Sequence, residues 1–340
     1  MSTINVNQVS PVTGTTVTVN NIELDSNVSN GNVSLGVNTY PVASNCGSLT
    51  AVGFNALSLN QTGNDNTAVG ANALKLNVTA GGNTAVGSNA LKNSTSQGNT
   101  ALGTNALVEN TTGSSNIGVG NAALGTHQTG DHNIAIGNSS QLLQVSGANN
   151  TSLGGDTLYN LAGGSDNAAL GYGSLVNLAS GNQNTALGSS SMISSTSGSN
   201  NICIGYFSTT ATATASNSIT LGNSSNDVLR CNVTSITSLS DARDKKEIKD
   251  LSVGLEFVNG LKPVEFVWND REEIGKHDVA DFGFIAQDLK ASQEEVEMAE
   301  TLKLVYEENP EKLEASYGKL IPILVKAIQE LSEEIKQLKK

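Results

Sequence analysis

Side chains able to do chemistry are distributed very unevenly along this 340-residue chain. Residues 1–239 hold eight acidic and three basic side chains, and residues 240–340 hold the other 23 acidic and 15 basic. In the first stretch His127 and His132 lie five apart. Histidines near the axis of a trimer could bind a metal, but no third ligand spacing supports a site, so surface turn residues are the expectation. Cys46, Cys203 and Cys231 are odd in number and widely spaced. They read as small buried residues made in a reducing cytosol. Segments such as Gly163-Gly-Ser-Asp166 lack the lysine and hydroxyl order of a phosphate loop. Asp156 and Asp166 stand in too sparse a setting for a paired-carboxylate glycosidase. No metal and no cofactor is expected. The densest polar run, Ser240-Asp-Ala-Arg-Asp-Lys-Lys-Glu-Ile248, reads on its own as a helix start. Ser240 or Asp241 would cap it, with Lys245 and Lys246 on its solvated face.

The elements that must carry these residues announce themselves through glycine. Gly36, Gly53, Gly70, Gly87, Gly103, Gly120, Gly137, Gly154, Gly171, Gly188, Gly205 and Gly222 recur at 17 residues, except for one 16-residue step from Gly87 to Gly103. Each follows an aliphatic residue, and the residue two before is small. A fixed short period makes each unit one coil of a solenoid stacked on its neighbours. The best copies, such as Asn83-Thr-Ala-Val-Gly-Ser-Asn-Ala-Leu91, give a short strand, a glycine bend and a leucine row four residues later. Asn66 through Asn201, four before each glycine, can stack as a hydrogen-bonded ladder. Stacking at ~4.8 Å predicts a shaft of roughly 55 Å. Two apolar rows cannot enclose much core, so three chains are expected to share one. The repeat resembles the head repeats of trimeric adhesins and viral fibre shafts over about residues 30–225.

Beyond Leu239 come Gly254-Leu-Glu-Phe257, Leu261-Lys-Pro-Val-Glu-Phe-Val-Trp268 and Gly283-Phe-Ile-Ala-Gln-Asp-Leu289, then an amphipathic helix. With Ser240–Ile248 these resemble the intramolecular chaperone domain of endosialidases and related tail fibres and tailspikes, a self-cleaving peptidase family. The resemblance spans about residues 238–340. It implies a domain that trimerises and folds the fibre and then releases itself by a Ser–Lys dyad. The serine falls on Ser240 and the lysine on Lys245. Serine needs a base beside it, and lysine serves as one only when neutral, so burial or cations such as Arg243 and Lys246 must depress its pKa. The bond cut adjoins Ser240, with Leu239 on one side and Asp241 on the other. Attack on the Leu239 carbonyl is the geometrically easier route.

The expected fold is mainly β: a trimeric parallel β-solenoid or β-roll followed by a small α+β chaperone domain ending in a coiled-coil helix. Its segments are an N-terminal attachment piece (1–31) with strand-like Thr15-Thr-Val-Thr-Val-Asn20, fibre repeats (32–226), a linker (227–239) and the chaperone/auto-protease (240–340). Ile321, Leu324, Ile328, Leu331, Ile335 and Leu338 form a heptad seam. Its Ile/Leu alternation in isolation favours two strands, against the trimer that the resemblance implies and that we retain. A net charge of −13 argues against nucleic acid and anionic membranes, no apolar run approaches the ~18 residues of a membrane helix, and no secretory leader is evident. The expected role is a virion fibre made in the host cytoplasm. It would be anchored to a virion or tail protein at its N-terminus and would bind a host surface receptor, a glycan or cell-surface protein. Self-cleavage would be single-turnover. The alternatives are a glycan-degrading tailspike, or a fibre with a non-cleaving trimerisation clamp.

Overall fold

The computed structural model describes residues 31–39, 46–226, 228–230, 240–269 and 279–340. Thr15–Asn20, Cys231 and Leu239 lie outside the described residues. Twelve three-residue strands, β1 (Val33–Leu35) to β12 (Ile219–Leu221), pair in chain order into one parallel sheet. Each residue pairs with its equivalent one repeat on: Thr67 with Thr84, and Thr84 with Thr100 across the 16-residue step.

Strand alternation decides which side chains enter the coil. The middle residue points inward, and Ala51, Ala68, Ala85, Ala101, Ala135, Ala186 and Cys203 are buried. The bend that follows demands glycine. Gly154 has φ +140°, and a Cβ there would sit 2.7 Å from the Gly171 carbonyl oxygen of the next coil. Two and four residues later the backbone turns left-handed again, at Asn72 (φ 58°) and Leu74 (φ 48°), for example. A leucine in that region costs about 1–2 kcal/mol. Complete burial of Leu57, Leu74, Leu91, Leu107, Leu124, Leu158 and Leu175 offsets this by about 1.5–3 kcal/mol each.

The expectation that one coil cannot enclose a core is corrected. Each coil closes on itself around its Ala and Leu rows, and buried asparagines fill the rest. All nine, Asn66 to Asn201, are buried. Each accepts from the backbone N–H one repeat later, as Asn150 Oδ1 does from Asn167 (3.0 Å), and donates to a turn carbonyl, as Asn150 Nδ2 does to Gly164 (2.8 Å). The expected side-chain ladder runs from Asn116 to Asn201, each Nδ2 also donating to the preceding Oδ1, while the bonds to backbone groups run the whole column. That satisfies turn carbonyls and amides that would otherwise be buried without partners.

A second polar column, seven residues past the glycine, gives no obvious sign of itself in the sequence. Asn60, Asn77, Asn110, His127 and Gln144 each bond the carbonyl three residues on, at 2.8–3.2 Å. In the 16-residue coil the position is Ser94, whose shorter side chain reaches Ser96, only two residues on. The missing residue and the shorter side chain thus compensate each other. His127 corrects the surface-turn expectation: it is buried, its Nε2 bonds the Gly130 carbonyl (2.8 Å), and burial pushes its pKa below the usual imidazole value. His132 is exposed as expected. Cys46 and Cys203 are buried free thiols.

The C-terminal region is a small α+β unit. It contains α1 (Leu255–Gly260), an antiparallel hairpin of β13 (Pro263–Val267) and β14 (Ala280–Phe284), α2 (Ala286–Glu295), α3 (Ala299–Leu302), a two-residue ladder and α4 (Leu320–Leu338). Val253, Phe257, Leu302, Leu304, Leu320 and Ile323 form its core. The Glu330 carboxylate on α4 accepts the Leu255 N–H at the start of α1 (2.6 Å), which also pulls its pKa down. Leu320, Ile323 and Ala327 turn α4 towards this core. The six heptad residues face away from it, with Ile321 62% and Ile328 66% exposed.

Candidate functional site

The site is built on one turn of 3₁₀ helix, Ala242–Asp244. Asp241 caps it: its carboxylate accepts the Arg243 N–H (2.9 Å) and holds the Arg243 guanidinium at 2.6 Å. These bonds hold the Asp241 carboxyl below the usual carboxylate range and the guanidinium above its own. Lys245 closes the turn, its N–H bonding the Ala242 carbonyl (3.2 Å). The tight reversal brings the lysine back over the residue that precedes the cap. Lys245 Nζ lies 2.6 Å from Ser240 Oγ and 3.2 Å from the Ser240 carbonyl oxygen.

Capping and pairing thus coexist here: Asp241 takes the cap, which leaves the Ser240 hydroxyl for Lys245. Hydroxyl and amine in direct contact can exchange a proton, the first requirement of a serine nucleophile with a lysine base. Ser240 and Lys245 are both exposed among the described residues. The Arg243 guanidinium pairs with Asp241 at 2.6 Å. Lys246 is exposed on the same segment. The Asp241–Arg243 pair was not legible as a positioning device, although aspartate two before arginine at a turn start is its signal.

Elsewhere little converges. Among the described residues no group of three or more His, Cys, Asp and Glu side chains gathers as a metal site, and no helix is long and apolar enough to cross a membrane.

Comparison with known proteins matches residues 240–297 to the family described as chaperone of endosialidase. No curated protein and no solved structure matches the chain. The match begins on Ser240 and takes in the 3₁₀ turn, α1, the hairpin and α2. The chain therefore carries a chaperone-of-endosialidase domain behind a parallel β-solenoid shaft, the build of a tail fibre with an endosialidase-type chaperone.

Proposed function

We propose that this protein is a trimeric attachment fibre of a phage-type particle. Its C-terminal domain aligns three chains and then cuts itself off once at Ser240. The observation that carries the cleavage step is the 2.6 Å contact between Lys245 Nζ and Ser240 Oγ at the first residues of the chaperone domain. In this step Lys245 takes the hydroxyl proton as Oγ attacks the adjoining carbonyl carbon. The C–N bond breaks as Lys245 passes that proton to the leaving amine, an ester forms, and water hydrolyses it to a carboxylate and the free serine hydroxyl.

Two apolar features support the trimer. One outward aliphatic residue per coil builds a stripe along the whole shaft, including Leu35, Leu102, Ile136, Leu153, Leu170, Leu187, Ile204 and Leu221, each 37–56% exposed. The heptad face of α4 continues the same chemistry. Identical stripes on three parallel solenoids pack against one another without any change of register. Assembly would also cover the exposed Ser240–Lys245 pair, and burial favours the neutral amine that a base requires.

Electrophoresis of purified protein after folding tests this reading. Wild type is expected as fragments of roughly 240 and 100 residues, by division of the chain at Ser240. Ser240→Ala and Lys245→Ala are expected at full length. The N-terminal residue of the small fragment, Ser240 or Asp241, identifies the bond. A wild-type trimer that stays intact would leave the domain as a permanent clamp and sink the protease assignment.

A further inference from the structure

The residue after each repeat glycine forms an outward column, and over most of the shaft it is small or polar: Ala71, Ser88, Thr104, Asn121, Asn138. Near the C-terminal end this changes. Tyr172 and Tyr206 occupy the column two coils apart, each 64% exposed, with Ser189 half-buried between them. Phe207, 45% exposed, stands beside Tyr206 with ring centroids 5.4 Å apart. The Tyr172 ring lies back over Gly155, where an added Cβ would meet it in ordinary contact at 3.4 Å. The Asp156 carboxylate beside the Tyr172 hydroxyl raises the phenol's pKa. The fold does not require these aromatics, because serine, asparagine or glycine fills the same position on neighbouring coils.

We infer that Tyr172, Ser189, Tyr206 and Phe207 form a binding platform for an uncharged saccharide. The backbones that carry the two rings are offset by two coils, about 9.6 Å at the ~4.8 Å strand spacing, with Ser189 between them. That arrangement offers flat apolar faces for the C–H side of successive pyranose rings, and hydroxyl groups between them for the sugar's own. Ring faces carry negative potential and attract such polarised C–H groups. The column positions next to the tyrosines are uncharged, Ser189 between them and Gly155 and Asn223 on either side. A second copy of the chain fits less well, because a self-association surface on identical repeats runs their whole length, as the aliphatic stripe does. Paired aromatics stand only on the coils near the two tyrosines, Phe54 being a lone ring in the same column at the other end of the shaft. The inference rests on the attachment reading above and gives the receptor a chemical class and a place.

The test is binding of the full-length protein to a printed panel of neutral hexose and N-acetylhexosamine oligosaccharides, with sialylated and sulfated members as charged comparators. Wild type is expected to bind at least one uncharged member. Tyr172→Ser/Tyr206→Ser is expected to weaken that binding at least tenfold, with unchanged circular dichroism and oligomeric mass. Phe54→Ser, in the same column but remote, is expected to change nothing. Binding to no uncharged saccharide overturns the inference, as does binding that the double variant leaves intact. A loss of oligomeric mass in the double variant also overturns it, by making the platform an interface between copies. The cleavage gel is independent of all three outcomes, so failure here is separable from failure of the fibre reading.

Discussion

Asn150→Ala is the sharpest probe of what holds the shaft together. Asn150 is fully buried mid-shaft and serves two backbone groups of the following coil. Its Nδ2 donates to the Gly164 carbonyl at 2.8 Å, and its Oδ1 accepts the Asn167 N–H at 3.0 Å. Both partners are buried. Truncation to alanine therefore strands one acceptor and one donor in the interior. Each unsatisfied group costs about 1–3 kcal/mol, so the pair should cost about 4 kcal/mol, before any cavity term. At about 1.4 kcal/mol per factor of ten, that is close to a thousandfold in the unfolding equilibrium. The control is Asn177→Ala, whose Nδ2 also bonds a neighbouring-coil carbonyl (Ile193, 2.9 Å) but at an exposed position. Surface changes of that kind stay within about 0.5 kcal/mol. Urea unfolding of the cleavage-silent Ser240→Ala background measures both, and amide exchange at residue 167 should be protected in the parent and fast in Asn150→Ala. A loss below about 1 kcal/mol, or equal losses at the two positions, would refute the claim that the asparagine column satisfies the solenoid's backbone.

Three further outcomes follow from the same geometry. Gly154→Ala should prevent a continuous shaft, since it combines φ +140° with a backbone clash at 2.7 Å, whereas Gly82→Asn should be tolerated, because φ +70° suits asparagine and nothing but Gly98 N lies near, at 4.0 Å; thermal melts compare them. His127 is held neutral by burial, with a folded pKa below the unfolded value of about 6.5. The unfolded chain then binds the extra proton, so stability should fall as pH drops through about 6.5, and His127→Asn should flatten that part of the melt-versus-pH curve. Asp131, whose pKa is lowered by the Ser114 bonds, acts in the same direction but only in the more acidic carboxylate range. Finally, Ser94→Asn alone should destabilise the 16-residue coil by about 1–2 kcal/mol, because the amide finds no carbonyl three residues on. The same change with one residue inserted after Thr95 should restore thermal stability.

The sequence by itself determined the shaft. A glycine that must be glycine, a small residue two before it and an asparagine four before it recur so regularly that strand length, parallel register and bend could all be read directly. Ser240 and Lys245 came forward only through the resemblance of residues 238–340 to the endosialidase chaperone domain, since their types and spacing alone read as a capped helix start. What the sequence could not convey was direction. Whether Leu74 or Leu102 faces inward depends on left-handed backbone turns at non-glycine residues, which no residue-type pattern announces. The single chain consequently encloses a core that seemed to need three, and the aliphatic before each glycine lies outside it. Only the folded coil revealed that His127 replaces a buried asparagine, that Ser94 absorbs the missing residue, and that Asp241 captures Arg243 and leaves Lys245 to Ser240. Periodicity fixes which residues are equivalent; tertiary structure decides what each of them touches.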